Sequence, residues 1–180
     1  MLNDAEIKSL ALTQNLITPF NPDLLQPASY DLTLGSTVLT IPKEVPQQFV
    51  VGKDQVTYVE HVIGADDAWL LPPRGFALFE TAETILLPND TAGKFEGKSS
   101  LGRIGLMTHI TAGFIDPGFR GVLTLELYNA GPMSLALRPG IRIGQVSFHR
   151  LSSPVLRPYG HPDLGSHYQD SDHVQGGKFD

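Results

Sequence analysis

The chain has 180 residues and 41% of them are apolar, enough for one domain with a hydrophobic core of its own. It contains no cysteine, which excludes a disulfide framework and any metal site built on thiolates. With 19 acidic residues against 13 basic ones the formal net charge is −6, so the surface as a whole repels phosphate polymers and lacks the basic stripe of a nucleic-acid binder. An anionic ligand must then be held by a small local cluster, which favours a small molecule.

No apolar run reaches the length of a membrane span, and the opening "MLNDAEIKSL" lacks both the basic start and the apolar centre of a secretory leader. The expectation is a cytoplasmic protein with neither a membrane nor a nucleic acid as partner. The first element reads as a helix: Asn3 is the N-cap, Glu6 stands three residues later as in a capping box, and Leu2 and Ile7 occupy the staple positions. Pro19 and Pro22 end it. From Ala28 the period changes to two, with Tyr30, Leu32 and Leu34 alternating with Asp31 and Thr33, and Gly35 is expected to close that strand.

"STVLTIP" reads as the continuation or partner of the same strand. "AWLLPPRGFALFE" reads as two strands joined by a turn at Pro72–Gly75. "TILLP", "GKFEGK", "GVLTLELYN", "MSLALRPG" and "IRIGQVSFHR" follow as further short strands with turn residues between them. Many short strands with few helices indicate a β-barrel or sandwich. The polar stretch after Pro158, rich in Gly, His and Asp, is expected to be a mobile tail.

Three segments carry chemistry. In "KSSLGRIGL", Ser99 is either simply a helix N-cap or, with Ser100, Lys98 and Arg103, part of an anion site at a helix start, with Arg103 one turn inside. In "TAGFIDPGFRG", Asp116 is either a turn residue or, with Phe119, a carboxylate and ring suited to a sugar. In "GVLTLELYN", Leu123, Leu125 and Leu127 form one face of a strand and Val122, Thr124 and Glu126 the other. Glu126 on that face is either solvated or, if covered, a general base with a raised pKa. His109 is expected to be a structural histidine, and the six histidines show no metal-ligand spacing.

Taken in order, "QPASYDLTLG", "EGKSSLGRIGL", "HITAGFIDPGFRGVLTLELYN", "LRPGIRIGQVSF" and "SSPVLRPYG" resemble the dCTP deaminase family of the dUTPase superfamily, most of all its bifunctional members. The resemblance spans nearly the whole chain. It implies a mainly β fold: a distorted, jelly-roll-like β-barrel of the dUTPase type with a short N-terminal helix and one short helix after Ser99. Residues 1–158 would form the single barrel domain and residues 159–180 a C-terminal lid. The family further implies a homotrimer with active sites between subunits.

Carried over to matching positions, Glu126 resembles the catalytic glutamate, with Ser99, Arg103 and Asp116 as its catalytic companions. Lys98, Ser99, Ser100 and Arg103 resemble triphosphate residues. Asp116 and Phe119 resemble the residues on the deoxyribose, and His109, Ile110, Thr111 and Ala112 the stretch that reads the pyrimidine edge. Gln145, Tyr159, Tyr168 and Gln169 complete the implied substrate-binding set. Where relatives have a lysine in the lid, His167 stands here, followed by Asp170 and Asp172.

The resemblance implies dCTP as substrate, dTTP as feedback inhibitor, Mg²⁺ carried with the triphosphate, and deamination without zinc. The zinc-deaminase signature with its paired cysteines is absent. Gly113 beside Phe114 matches the bifunctional type and is expected to leave room for a second water, giving dUMP and pyrophosphate. The alternatives are a deaminase that stops at dUTP, a dUTPase alone, a nucleotide-binding regulator on the same scaffold, and a ligand-free structural trimer.

Overall fold

A computed structural model describes residues 1–44, 46 and 48–179. Residues 45, 47 and 180, which fall within the expected domain and tail, lie outside the described residues. The helix α1 spans Asp4–Gln14. Both halves of its capping box form: Glu6 N–H donates to Asn3 Oδ1 at 3.0 Å, and Asn3 N–H donates to Glu6 Oε2 at 3.0 Å. Leu2 and Ile7 are buried beneath it, so the staple packs the helix against the barrel.

Twelve strands follow among the described residues. They are β1 (Ile17–Thr18), β2 (Leu25–Gln26), β3 (Ser29–Thr40), β4 (Val59–Val62), β5 (Trp69–Leu71) and β6 (Phe76–Leu86). Then come β7 (Thr91–Gly97), β8 (Leu106–Met107), β9 (Phe114–Ile115), β10 (Arg120–Asn129), β11 (Leu135–Leu137) and β12 (Arg142–Arg150), with a short helix α2 (Ser99–Gly102) after β7. The main sheet runs β8-β10-β6-β3-β12-β7-β9, with β1 added to β6 and both β2 and β4 to β3. Its strand pairs are antiparallel, and the sheet curls into a half-barrel. A separate two-stranded sheet joins β11 to β5.

Side chains from both sides of the curl fill the core, among them Tyr30, Leu32, Leu34, Phe79, Leu125, Leu127, Val146 and Phe148. Each large apolar side chain buried this way contributes about 1.5–3 kcal/mol. No helix among the described residues is long and apolar enough to cross a membrane.

Three local expectations are corrected. Gly35 does not end its strand, because β3 runs on to Thr40 through a bulge between Leu34 and Val38. A side chain at Gly35 would collide with Glu80, which reaches into the bulge and accepts Thr37 N–H at 3.1 Å. "TILLP" is not a separate strand but the end of β6, which continues unbroken from Phe76 to Leu86. Leu123 is half-buried rather than a core residue, because β10 shifts register between Val122 and Thr124 and the hydroxyl of Thr81 accepts Leu123 N–H at 3.0 Å.

Glu83, on β6, plays a part on β3 similar to that of Glu80. Its carboxyl is buried and accepts both Thr33 N–H (2.8 Å) and Thr33 O–H (2.7 Å). Burial raises its pKa above the ordinary 4.5, with the Thr33 bonds acting in the opposite direction. A raised folded-state pKa means that this group's stabilisation is fully present below the unfolded value and is lost as pH rises through the folded value. The substitution Glu83→Gln keeps a partner for both Thr33 groups and removes the titration. The melting temperature of the unsubstituted chain should therefore fall relative to Glu83→Gln as pH rises above about 4.5. Thermal melts of the two proteins across that range check this, and a difference independent of pH would contradict it.

Candidate active site

A cavity of about 520 Å³ lies over the outward face of β10. Its lining draws on β10 itself, on the 109–116 segment, and on the C-terminal segment that returns across the strand. Glu126 is half-buried there, and its Oε2 accepts Ile110 N–H at 2.8 Å. This bond ties the strand to the 109–112 loop and fixes the carboxylate in the cavity wall.

The structure brings together His109, Ile110, Thr111, Ala112, Asp116, Phe119, Glu126, Tyr159 and Tyr168, all of which line this cavity. Phe119 packs into the core, with its ring edge-on to Tyr159 at 5.5 Å. Asp116 is exposed at the cavity and follows Ile115, which anchors β9 against β7. His109 differs from the satisfied structural histidine expected. Its Nδ1 is buried without a hydrogen-bond partner among the described residues, while its ring meets the Phe95 ring at 5.7 Å.

Lys98, Ser99, Ser100, Arg103 and Gln145 do not line the cavity. The helix α2 has only four residues, Lys98 and not Ser99 is its N-cap, and no side chain caps it. Arg103 is the C-cap residue rather than one turn inside. Lys98 is held by the fully buried Asp31, Nζ to Oδ1 at 2.6 Å, and Arg142 reaches the other oxygen of Asp31 at 3.4 Å. Ser99, Ser100 and Arg103 are exposed beside this ion cluster, with no protein partner for their hydroxyls or guanidinium among the described residues. Gln145 lies opposite Asp31 in the β12–β3 ladder and accepts from Ser29 Oγ at 3.0 Å.

Gly113 is also absent from the lining. A Cβ there would lie 2.6 Å from the carbonyl oxygen of Phe95, whose N–H donates to Gly113 O at 2.7 Å. Close approach to β7 therefore demands this glycine.

The C-terminal segment is laid down along β10. Gln169 uses its amide on backbone groups, donating to Gly118 O at 3.0 Å and accepting Arg120 N–H at 3.1 Å, so it lies off the cavity. Val122 N–H donates to Ser171 O, Gln175 N–H to Thr124 Oγ1, and Val174 N–H to Glu80 Oε2. Val174 is buried against Leu39 and Leu78. Gln175, Gly176, Gly177 and Tyr58 thereby become cavity wall. Sequence reasoning missed Asp31, Glu80 and Tyr58 because their partners are remote: Lys98 is 67 positions from Asp31, and Val174 is 94 from Glu80.

Comparison with known proteins places this geometry. Residues 1–151 match the family model described as dCTP deaminase-like. The "dCTP deaminase, dUMP-forming" of Beutenbergia cavernae is 43% identical over 171 residues, covering 94% of this chain and 89% of that protein. The protein of the same description from Tropheryma whipplei (strain Twist) is 44% identical over 172 residues, covering 94% and 87%. Among solved structures, the 2′-deoxycytidine 5′-triphosphate deaminase from Agrobacterium tumefaciens superposes with a TM-score of 0.63 at 24% identity. That match covers 87% of this chain and 49% of the other, about half its length, and shows the shared fold.

Tyr159 is where the returning segment meets the cavity. Its hydroxyl accepts Tyr168 N–H at 3.1 Å, and burial raises its pKa above the ordinary value, so the phenol stays neutral at physiological pH. The substitution Tyr159→Phe removes that acceptor. One hydrogen bond of this kind contributes about 1 kcal/mol, so amide exchange across 168–178 should quicken about five-fold while the barrel strands are unaffected. Hydrogen-exchange mass spectrometry checks this, and unchanged exchange in the segment would show that the bond does not hold it.

Proposed function

The chain belongs to the dCTP deaminase-like family, and on that premise we propose that it hydrolyses dCTP to dUMP, ammonia and pyrophosphate with Glu126 as the general base. The observation that carries this reading is the bond from Ile110 N–H to Glu126 Oε2, which fixes a carboxylate in a cavity that also offers Asp116 and the Phe119 ring.

In this mechanism the pyrimidine edge lies against the 109–112 backbone. With Oε2 engaged, Glu126 accepts a proton from water through Oε1, and the hydroxide adds to C4 of cytosine. That proton passes to N3; Glu126 then takes the proton of the new C4 hydroxyl and gives it to the amine, which leaves as ammonia as the C4 carbonyl forms, giving the uracil ring. Asp116 binds the 3′-hydroxyl of the deoxyribose and orients a second water towards the α-phosphate, releasing pyrophosphate. The ring of Phe119 covers the sugar.

Mg²⁺ belongs to the substrate in this reading, held by the phosphate oxygens. Among the described residues no group of three or more His, Cys, Asp or Glu side chains is gathered to hold an ion of its own. The nucleotide dTTP, with the same sugar and triphosphate, competes for the cavity as an inhibitor. The cytoplasm, where free nucleotides are made, is the proposed setting.

The active site is proposed to be shared between copies of the chain, in a homotrimer. Support comes from the separation on one chain of Ser99, Ser100 and Arg103 from the cavity with Glu126, although both sets belong to one reaction. Ile104, Met107, Ile110 and Phe114, all 41–66% exposed, form an apolar surface beside these groups that a second copy would cover.

The substitution Glu126→Gln should reduce deamination by about 10²–10⁴-fold while leaving dCTP binding nearly intact, because the amide oxygen can still accept Ile110 N–H. Steady-state ammonia release together with calorimetric dCTP binding checks this. Near-normal turnover would remove Glu126 from the mechanism. In the unsubstituted enzyme, chromatography should show dUMP as the end product, and stable dUTP would contradict the second hydrolysis.

A further inference from the structure

Two consecutive amides near the end of the chain are taken up by two tyrosine hydroxyls of the Glu126 cavity. Gly177 N–H donates to Tyr58 Oη at 3.1 Å and Lys178 N–H to Tyr168 Oη at 3.1 Å, and both tyrosines belong to the cavity lining. We propose that Tyr58 is a positioning residue of the enzyme, which ties the strap formed by residues 174–178 into the cavity wall and so keeps the substrate enclosed. This rests on the dCTP reading above and extends it.

Side chains, rather than a ladder of backbone bonds, hold the strap. Glu80 Oε2 accepts Val174 N–H and Thr124 Oγ1 accepts Gln175 N–H, each at 3.0 Å. Val174 is buried against Leu39 and Leu78, so this end is anchored in the barrel. Gly176 and Gly177 come next. They have no side chains to bury, and glycine loses more conformational freedom on ordering than any other residue. Their order therefore depends on what Tyr58 supplies.

Tyr58 supplies both a hydroxyl and a ring. Neither glycine has a positive φ, so turn geometry does not call for them. A Cβ at Gly176 would lie 2.3 Å from the Tyr58 ring, and the bare glycine lets the strap rest directly on that ring. Tyr58 is half-buried, packs against the cluster of Leu39, Leu78 and Val174, and stands immediately before β4, whose pairing with β3 fixes its place. In the same connection Asp54 Oδ2 accepts Val50 N–H at 2.7 Å, and the ring of Phe49 lies 5.7 Å from that of Phe179, just past the strap. The 49–58 segment thus meets the end of the chain at two points.

Gln175, Gly176 and Gly177 line the same cavity as Glu126. When the strap opens, that wall is lost, and binding must supply the free energy that closes it again, so affinity falls with the closed fraction. A loosened strap is read in KM before kcat, because Glu126 and its bond to Ile110 N–H belong to other elements.

The test compares Tyr58→Phe and Tyr58→Ala, each alone and with Gly176→Ala, with the unsubstituted enzyme in dCTP turnover and in amide exchange. Tyr58→Phe keeps the ring and loses the acceptor, so exchange across 174–178 should quicken about five-fold with the barrel strands unaffected. Tyr58→Ala should quicken it further and raise KM for dCTP at least about five-fold, with kcat changed less than about two-fold. Gly176→Ala should raise KM when Tyr58 is present and add nothing in Tyr58→Ala, where the ring it meets is gone. A merely structural role would lower melting temperature and kcat and leave KM alone. Unchanged exchange across 174–178 in Tyr58→Phe, or an unaltered KM in a folded Tyr58→Ala, would overturn this inference alone. An unsubstituted chain inert towards dCTP would instead overturn the functional reading, and the inference with it.

Discussion

Strand β10 is bonded to β6 from Arg120 to Tyr128, holds β8 at its far end, and receives the C-terminal segment at Gly121, Val122 and Thr124. The pleat of this one strand sorts its side chains: Leu125 and Leu127 go to the core, while Thr124 and Glu126 face the cavity. The register shift at Leu123 lets the early part of the strand contribute Val122 and Leu123 to the lining as well. A slip of one residue in the β10–β6 pairing would move Glu126 into the core and a leucine into the cavity. The two long ladders that β6 makes, with β10 and with β3, oppose such a slip.

Carboxylates serve two purposes in this fold. Those of Asp31, Glu80 and Glu83 are structural: they satisfy backbone groups or cations that the bulged β3 strand and its surroundings leave without ladder partners. Asp116 and Glu126 instead line the open cavity, where they can meet water and substrate. An acidic protein that handles a polyanion must separate these negative groups from the phosphates. In the proposed mechanism the cations that meet the phosphates are those of Lys98–Arg103, which do not line the cavity of Asp116 and Glu126.

Features with local causes were legible in the sequence. The capping box of α1, the strand alternation of Tyr30, Leu32 and Leu34, and the grouping of Asp116 and Phe119 in one turn all depend on neighbours a few positions away. Features set by remote partners were not. Gly35 reads as a strand end until Glu80, 43 positions beyond Thr37, is seen to reach the bulge and accept Thr37 N–H. Leu123 reads as core until the Thr81 hydroxyl is found across the sheet. The close approach of β7, which leaves no room for a side chain at Gly113, was likewise not legible in the sequence. Gln169 reads as a substrate contact, yet its amide is engaged with the backbone at Gly118 and Arg120. The proposed division of the site between Ser99–Arg103 and Glu126 was legible only through the family resemblance, which implies active sites between subunits, and it accords with the absence of Ser99, Ser100 and Arg103 from the cavity lining.

That division is the central claim, and subunit complementation tests it most directly. Glu126→Gln and Ser99→Ala chains are each purified as inactive homo-oligomers, unfolded together in equal amounts, refolded and assayed for dCTP deamination. If Ser99 of one copy serves Glu126 of another, random mixing restores about one quarter of the sites to an intact pair, and activity should return to about that fraction. If both residues must come from the same chain, every site in the mixture carries a defect, and a mixture as inactive as its components would contradict the account.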